Sequence, residues 1–515
     1  MNDEILLFGR LPPDGAPCQM LTEPPAIKLH GPEYGWIDLM VQAPGHHFDT
    51  VTLSDVYPPL ADLWCWSLAV AWGVLPVAVH LDEEAPSVWL WADPLSDGQL
   101  QLGLMRTPWR MPIDKAAALE CVRWQEARAD FLRRWGKMWG DFLSSNTFDA
   151  TQWEEDPEPM RVVPWARLAE VPELEPPPWP LSARVAWFYL TLAHHLRRHG
   201  PDCTYTEDPA RWTLHEMQMA ALCLRAAQMA WRTLRQDEPP GDEPWRLIQA
   251  GREVAWTGAD ASSQKHERAL HSAWMTAWET VFDAIARVAD TLLPLLPIAP
   301  GSHFADEAGR RAVLIQSQGR QWLLYWDDGR ITCEDAFHAG RFPSWRWPVA
   351  RGPRFDRAAL DPIDQRRLRF LELKASPVGI VCPVCGYPCM DDDVDDVSTC
   401  DICGYPTLWE QTHGTVPALD ATVNEKGEPI SLTLRERRAY FLDHGDAWPA
   451  DHAFGPDDDA WGPSLRDPVQ QRLARACMAE WDAWLEHPDP QNTPEEVWRR
   501  WIRLEEQNRR PEDET

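Results

Sequence analysis

Three short runs near the start of the chain alternate apolar and polar residues. Trp36-Ile37-Asp38-Leu39-Met40-Val41, Ser87-Val88-Trp89-Leu90-Trp91 and Gln99 to Met105 repeat with the period of two that marks strands. Between the first two, the pattern predicts a helix opening near Ser54 or Asp55, with Pro58 and Pro59 in its first turn and Gly73 as its stop. A long helix is expected from about Asp114 to Asn146, with Leu119, Val122, Phe131, Trp135, Trp139 and Phe142 on its apolar stripe. A small sheet covered by helices buries all of these faces, so residues 1–148 read as an α+β domain.

Residues 149–181 are Pro-rich and acidic, which marks an exposed linker. From Ser182 to about Pro297 the period becomes helical. Thr213 and Glu216 have the spacing of a capping box ahead of Met217, Leu224 and Trp231, and Trp274, Trp278, Val281, Ile285 and Val288 form a second stripe. Residues 182–297 therefore read as a helical bundle. The period changes again at Arg311 to Ile315, Gln321 to Trp326 and Arg330 to Glu334. These runs, with the turn Asp327-Asp328-Gly329, describe a β-meander within 300–350. A short helix near Asp361 to Lys374 leads into a cysteine-rich module at 375–447. A helix at Leu432 to His444 closes that module, and C-terminal helices follow within 460–510, near Pro468 to Glu486 and Thr493 to Asn508. The fold class expected for the whole is multidomain α+β.

The run from Leu60 to Leu81 is apolar enough to suggest a membrane span. Gly73 and Pro76 interrupt it and no Lys or Arg flanks it, so it reads as a buried helix followed by a strand. The first dozen residues lack the basic and apolar regions of a secretory signal, which points to the cytoplasm. The 31 Trp are read mainly as buried or half-buried anchors, and the 48 Pro as connections between modules. The net charge of −31 disfavours nucleic acid and anionic membrane surfaces, because phosphates are repelled, and it permits a basic protein partner. Acidity that only maintains solubility is the plainer alternative.

Of the 12 cysteines, five fall between Cys382 and Cys403; the others, including Cys65, Cys121 and Cys223, are scattered and read as small buried hydrophobes in a reducing compartment. The cluster has a definite spacing: Cys382-Pro383-Val384-Cys385, fourteen residues, then Cys400-Asp401-Ile402-Cys403, with Gly386 and Gly404 directly after each pair. Each C-x-x-C offers two thiolates from one tight knuckle. Two knuckles supply a tetrahedral set of four sulfurs, which suits one structural Zn2+ with no position left for a reacting water. Unligated cysteines, an Fe–S cluster or a redox dithiol are the other readings, and Cys389 is a spare thiol able to replace Cys385. The loop between the knuckles carries Asp391, Asp392, Asp393, Asp395 and Asp396, and no Lys or Arg lies between Lys374 and Lys426, so this ribbon is ill suited to phosphates.

Residues from about Val381 to Gly445 resemble the bacterial cysteine-rich CPCC domain family. The resemblance rests on Cys382-Pro383-Val384-Cys385-Gly386, on Cys400-Asp401-Ile402-Cys403 with Trp409-Glu410 beyond, and on the helix Ile430-Ser431-Leu432 to Arg438-Ala439-Tyr440-Phe441 with Gly445. Val384 stands where the family has its middle cysteine, and Gly404 to Leu408 displace the tryptophan. The resemblance covers about an eighth of the chain; it implies zinc binding in a bacterial protein and assigns no reaction.

Other candidates are weaker. Asp391-x-Asp393-x-Asp395 lacks the glycine and glutamate of a calcium loop, His215-Glu216 has Met219 where a zincin needs histidine, and His195 with His199 has no matching carboxylate. Asp82, Glu83 and Glu84 beside Trp89 and Trp91 form a candidate docking surface for a basic partner, or else a plain cluster of turn charges. The sequence therefore points to a non-enzymatic, immunity-like or adaptor protein with a structural zinc ribbon. The alternatives are an enzyme with dispersed Asp, Glu and His in the first 300 residues and a zinc-ribbon transcription accessory factor.

Overall fold

The computed structural model describes, with short gaps, residues 6–148, 175–372, 380–407, 438–443 and 468–487, and the single positions Leu168, Arg500 and Arg503. The chain divides into two compact units: Met1–Ile298 with Phe304–Arg310 and Trp345–Arg351, and Ala299–His303 with Arg311–Ser344 and Gly352–Thr515. Helices are mixed with sheets built largely from antiparallel hairpins, with β1 parallel to β8, an arrangement compatible with the α+β class. Among the described residues no helix is long and apolar enough to cross a membrane.

The first unit begins with β1 (Gln19–Met20), β2 (Ala26–Glu33), β3 (Trp36–Ala43), β4 (His46–Ser54), α1 (Leu60–Ala71), β5 (Val77–Asp82), β6 (Ser87–Pro94), β7 (Gln99–Thr107), β8 (Glu120–Ala127) and α2 (Arg128–Leu143). β2, β3 and β4 make one sheet; a second has the order β1-β8-β7-β6-β5, with β1 parallel to β8. Aromatic side chains of α1 and α2 fill the interior. The Trp66 ring meets Phe131 at 5.8 Å and Trp135 at 5.7 Å, both edge to face, the arrangement that ring quadrupoles favour. Trp135 Nε1 donates to Ser67 Oγ at 2.8 Å, and that hydroxyl donates to the Leu63 carbonyl at 2.6 Å, so both buried polar groups are satisfied.

Two expectations for this unit are corrected. Residues 120–127 are a strand, with the helix starting only at Arg128. Val122, Trp124 and Glu126 alternate toward the interior, and β8 pairs with β7 from Glu120 to Ala127, so the sheet overrides the helical spacing that these residues share with the helix behind them. Cys121 is also more than a small hydrophobe: it is disulfide-bonded to Cys18, beside the Gln19↔Val122 pair of β1 and β8.

The helical part comprises α3 (Leu181–His199), α4 (Pro209–Arg235), α5 (Asp242–Thr257) and α6 (Gln264–Leu292). Thr213 does not cap α4, because the helix already opens at Pro209, where a fixed φ and a missing N–H cost nothing. β9 (His303–Ala305) follows, with Phe304 5.9 Å from Trp187.

In the second unit, β10 (Arg311–Gln318), β11 (Gln321–Trp326) and β12 (Ile331–Asp335) form the expected meander. Gly329 supplies the positive φ of 84° that the turn between β11 and β12 requires. After β13 (Trp347–Val349), which belongs to the first unit, α7 (Pro362–Glu372) buries two faces. Leu368 packs with Leu323 and Ile331 of the meander, whereas Ile363 and Phe370 turn toward the cysteine-rich module. That module contains β14 (Ile380–Val381), β15 (Pro388–Met390), β16 (Ser398–Thr399) and β17 (Pro406–Thr407), and α8 (Pro468–Glu486) comes after it.

Candidate metal centre

The first knuckle is a reversal between β14 and β15, which pair Ile380 with Met390 and Val381 with Pro388. Gly386 N donates to the Cys382 carbonyl and Cys382 N to the Tyr387 carbonyl, both at 2.9 Å, closing the turn around the two cysteines. Val384 N donates to Cys382 Sγ at 3.4 Å. Gly386 is required twice over. Its φ is +79°, and a Cβ there would lie 2.9 Å from the Ile363 carbonyl oxygen of α7.

The short β16–β17 pair, Ser398↔Thr407 and Thr399↔Pro406, brings Cys400 to this knuckle, and residues 401–405 lie outside the described residues. The Sγ atoms of Cys382, Cys385 and Cys400 all lie within 4.8 Å of one another, and Cys385 Sγ is 3.6 Å from Cys400 Sγ. Four sulfurs on a tetrahedron about 2.3 Å from a central ion stand roughly 3.8 Å apart, so the spacing fits a metal-thiolate set. All three cysteines are fully buried. Three cysteines, two from the first knuckle and Cys400 from the end of β16, therefore meet closely enough to hold a metal ion. Cys403, the expected fourth ligand, lies outside the described residues, and Cys389 sits on β15.

Charged side chains brace the cluster. Arg366 Nη1 donates to the Cys385 carbonyl at 2.8 Å, and its guanidinium lies 4.1 Å from the centre of the Tyr387 ring. Asp364, nearly buried on α7, accepts from Arg438 Nη2 at 2.7 Å and pairs with Arg367 at 3.2 Å. Burial by itself would push the Asp364 carboxyl up, but the hydrogen bond from Arg438 and the charges of Arg367 and Arg438 outweigh it, and the group is held below its ordinary value. Tyr387 is shifted the other way: burial and the neighbouring Asp482 carboxylate raise its hydroxyl against the opposing charge of Arg366. Periodicity gave no sign of this bracing. Its one visible signal was the run Arg366-Arg367 on the helix just before the knuckle.

The other candidate residues lie elsewhere. Trp89 and Trp91 are 3% and 1% exposed, packed with Ala78, Met105 and Cys121, so they are core residues and present no face to a partner. Glu83 is turned inward, accepting from Thr52 N at 2.9 Å and from Arg106 Nε at 3.1 Å. Asp82 ends β5 half-buried, and Glu84 lies outside the described residues. His195 stands on α3 with its ring 6.5 Å from Trp64. Among the described residues the cysteine trio is the group of three or more metal-binding side chains that converges. The chain matches no family model, no curated protein and no solved structure.

Proposed function

We propose that the module at 375–447 is a zinc ribbon holding one structural Zn2+, and that the protein acts by contact with other proteins and not by chemistry at that ion. The observation that carries the zinc reading is the convergence of three fully buried thiols within 4.8 Å, at the spacing of a metal-thiolate set. In this reading Cys403, three residues beyond Cys400 in the sequence, supplies the fourth thiolate. A filled sulfur set leaves water no position on the ion, so its contribution is to folding. Likeness of residues 381–445 to the CPCC family agrees with this donor set. The remaining division we propose is an α+β domain at 1–148, a linker at 149–181, a helical domain at 182–297, a meander at 300–350 and C-terminal helices at 460–510.

The contact role rests on the net charge of −31, which draws a basic partner and repels nucleic acid, and an immunity-like or adaptor function accords with it. Elemental analysis of the purified protein should give one zinc per chain. Affinity capture from bacterial cells should retain a basic protein at near-stoichiometric level that dissociates as salt rises. Protein without zinc and with all thiols open to alkylation would refute the first half. Salt-sensitive retention of DNA in place of a protein would refute the second.

A further inference from the structure

α8 is built into the same interior as the cysteines. Ala474, Cys477, Trp481, Trp484 and Leu485 recur at helical spacing and are buried, while Arg475, Ala476, Glu480 and Asp482 between them are exposed. The buried stripe shares one core with Cys382, Cys385, Cys400 and Tyr387. Phe370 of α7 joins the two sides: its ring is stacked on Trp484 at 6.2 Å and meets Trp481 edge to face at 5.5 Å. Polar contacts repeat the connection. Tyr387, two residues past Cys385, donates from its hydroxyl to Asp482 of α8 at 2.9 Å. Arg369 of α7 donates to the Leu485 carbonyl at 2.7 Å.

We propose that metal occupancy of the cysteine cluster and docking of α8 are a single coupled equilibrium, so that the ion works as a latch holding α8, and its loss frees the Trp481–Trp484 face. This rests on the reading of the cluster as a zinc site. The physical basis is the size of the parts. Strands of two or three residues cannot close a core unaided, so the knuckle needs the ion, and the helix needs the closed knuckle as the surface for its apolar stripe. Linkage is reciprocal: if zinc tightens helix docking by some factor, helix docking tightens zinc binding by the same factor.

The test uses the full chain with zinc as the only added ligand. Hydrogen exchange and tryptophan fluorescence are followed through removal of the metal by a chelator and its return. The expected result is loss of amide protection across 468–486 on removal and recovery on return, with α3 and α4 unchanged. In parallel, zinc affinity is measured by competition with a chromophoric chelator. Trp484→Ala, which removes a buried ring from the shared core, should weaken binding by about 10- to 100-fold through that linkage. Tyr387→Phe, which deletes a single hydroxyl and leaves the fold intact, should weaken it by several-fold. Wild-type protein that binds zinc while 468–486 stays protected without it, or variants that bind as the wild type does, would overturn the latch and leave the zinc site standing. Wild-type protein that takes up no zinc would overturn both.

Discussion

The sheet-and-helix part of the first unit and the cysteine-rich module solve the same problem with different materials. In the first, strands mostly of eight or nine residues and helices of 12 and 16 residues bring Trp66, Phe131, Trp135 and Trp139 into one interior. In the second, paired strands of two or three residues close around three buried sulfurs and Tyr387, and α7 and α8 add Phe370, Trp481 and Trp484. Long elements bury enough apolar surface to hold themselves together. Short ones do not, and in the zinc reading proposed above a metal-thiolate set would supply what is missing. Stability in the first unit should therefore depend on side-chain volume, and in the module on ligand chemistry.

Removing a ligand should break the contrast most sharply. Cys400→Ser is expected to reduce zinc from one per chain to near zero and to unfold the module, with the far-UV signal and thermal transition of the first unit preserved; calorimetry together with elemental analysis reads both. The complementary change, Trp66→Ala, should cost the first unit about 3–5 kcal/mol through the cavity it leaves. Zinc content should stay at one per chain, which denaturant titration with a metal assay checks. A smaller effect is expected from Gly386→Ala, which places a side chain at positive φ and against the Ile363 carbonyl. It should cost about 1–3 kcal/mol and weaken zinc retention in a chelator competition without abolishing it.

The smallest effect sharpens the comparison by pH. Burial raises Asp62 on α1 to about 6, against the opposing charge of Arg225 3.8 Å away. A carboxyl whose folded value lies above its ordinary one favours folding at low pH and opposes it once ionised, so its penalty grows as pH rises from about 4 to 6. Asp62→Asn should therefore stabilise the first unit by about 1–2 kcal/mol at pH 7.5 and by almost nothing at pH 4. Asp364 has the reverse sign. Its carboxyl is held down by Arg438 and Arg367, so the stability it contributes is present through neutral pH and is lost only as pH falls below the usual carboxylate range.

Several elements were legible in the residues because one short-range rule governed each. The meander could be read from its alternation and its Asp-Asp-Gly turn, α8 at the bounds Pro468–Glu486, and the knuckle from C-x-x-C followed by glycine. Other elements were misread because two rules competed. Residues 120–127 carry apolar spacing that continues into α2, and only pairing with β7 and β1 makes them a strand. Trp89 and Trp91 looked like an aromatic docking face beside acidic residues. Both are interior, since β6 lies between β5 and β7 and is buried along most of its length.

Local chemistry was decided by sequence alone: which residues turn, which alternate, and which sulfurs are spaced to share an ion. Tertiary structure decided what each of these meets. It joined Cys18 to Cys121 across 103 positions, placed Asp364 between two arginines 74 and three residues away, and set Trp481 and Trp484 against cysteines about a hundred residues earlier. Spacing along a chain constrains contacts within a few residues, because backbone geometry fixes where those side chains point. Contacts between distant segments depend on how whole elements pack, and that packing is a property of the folded chain.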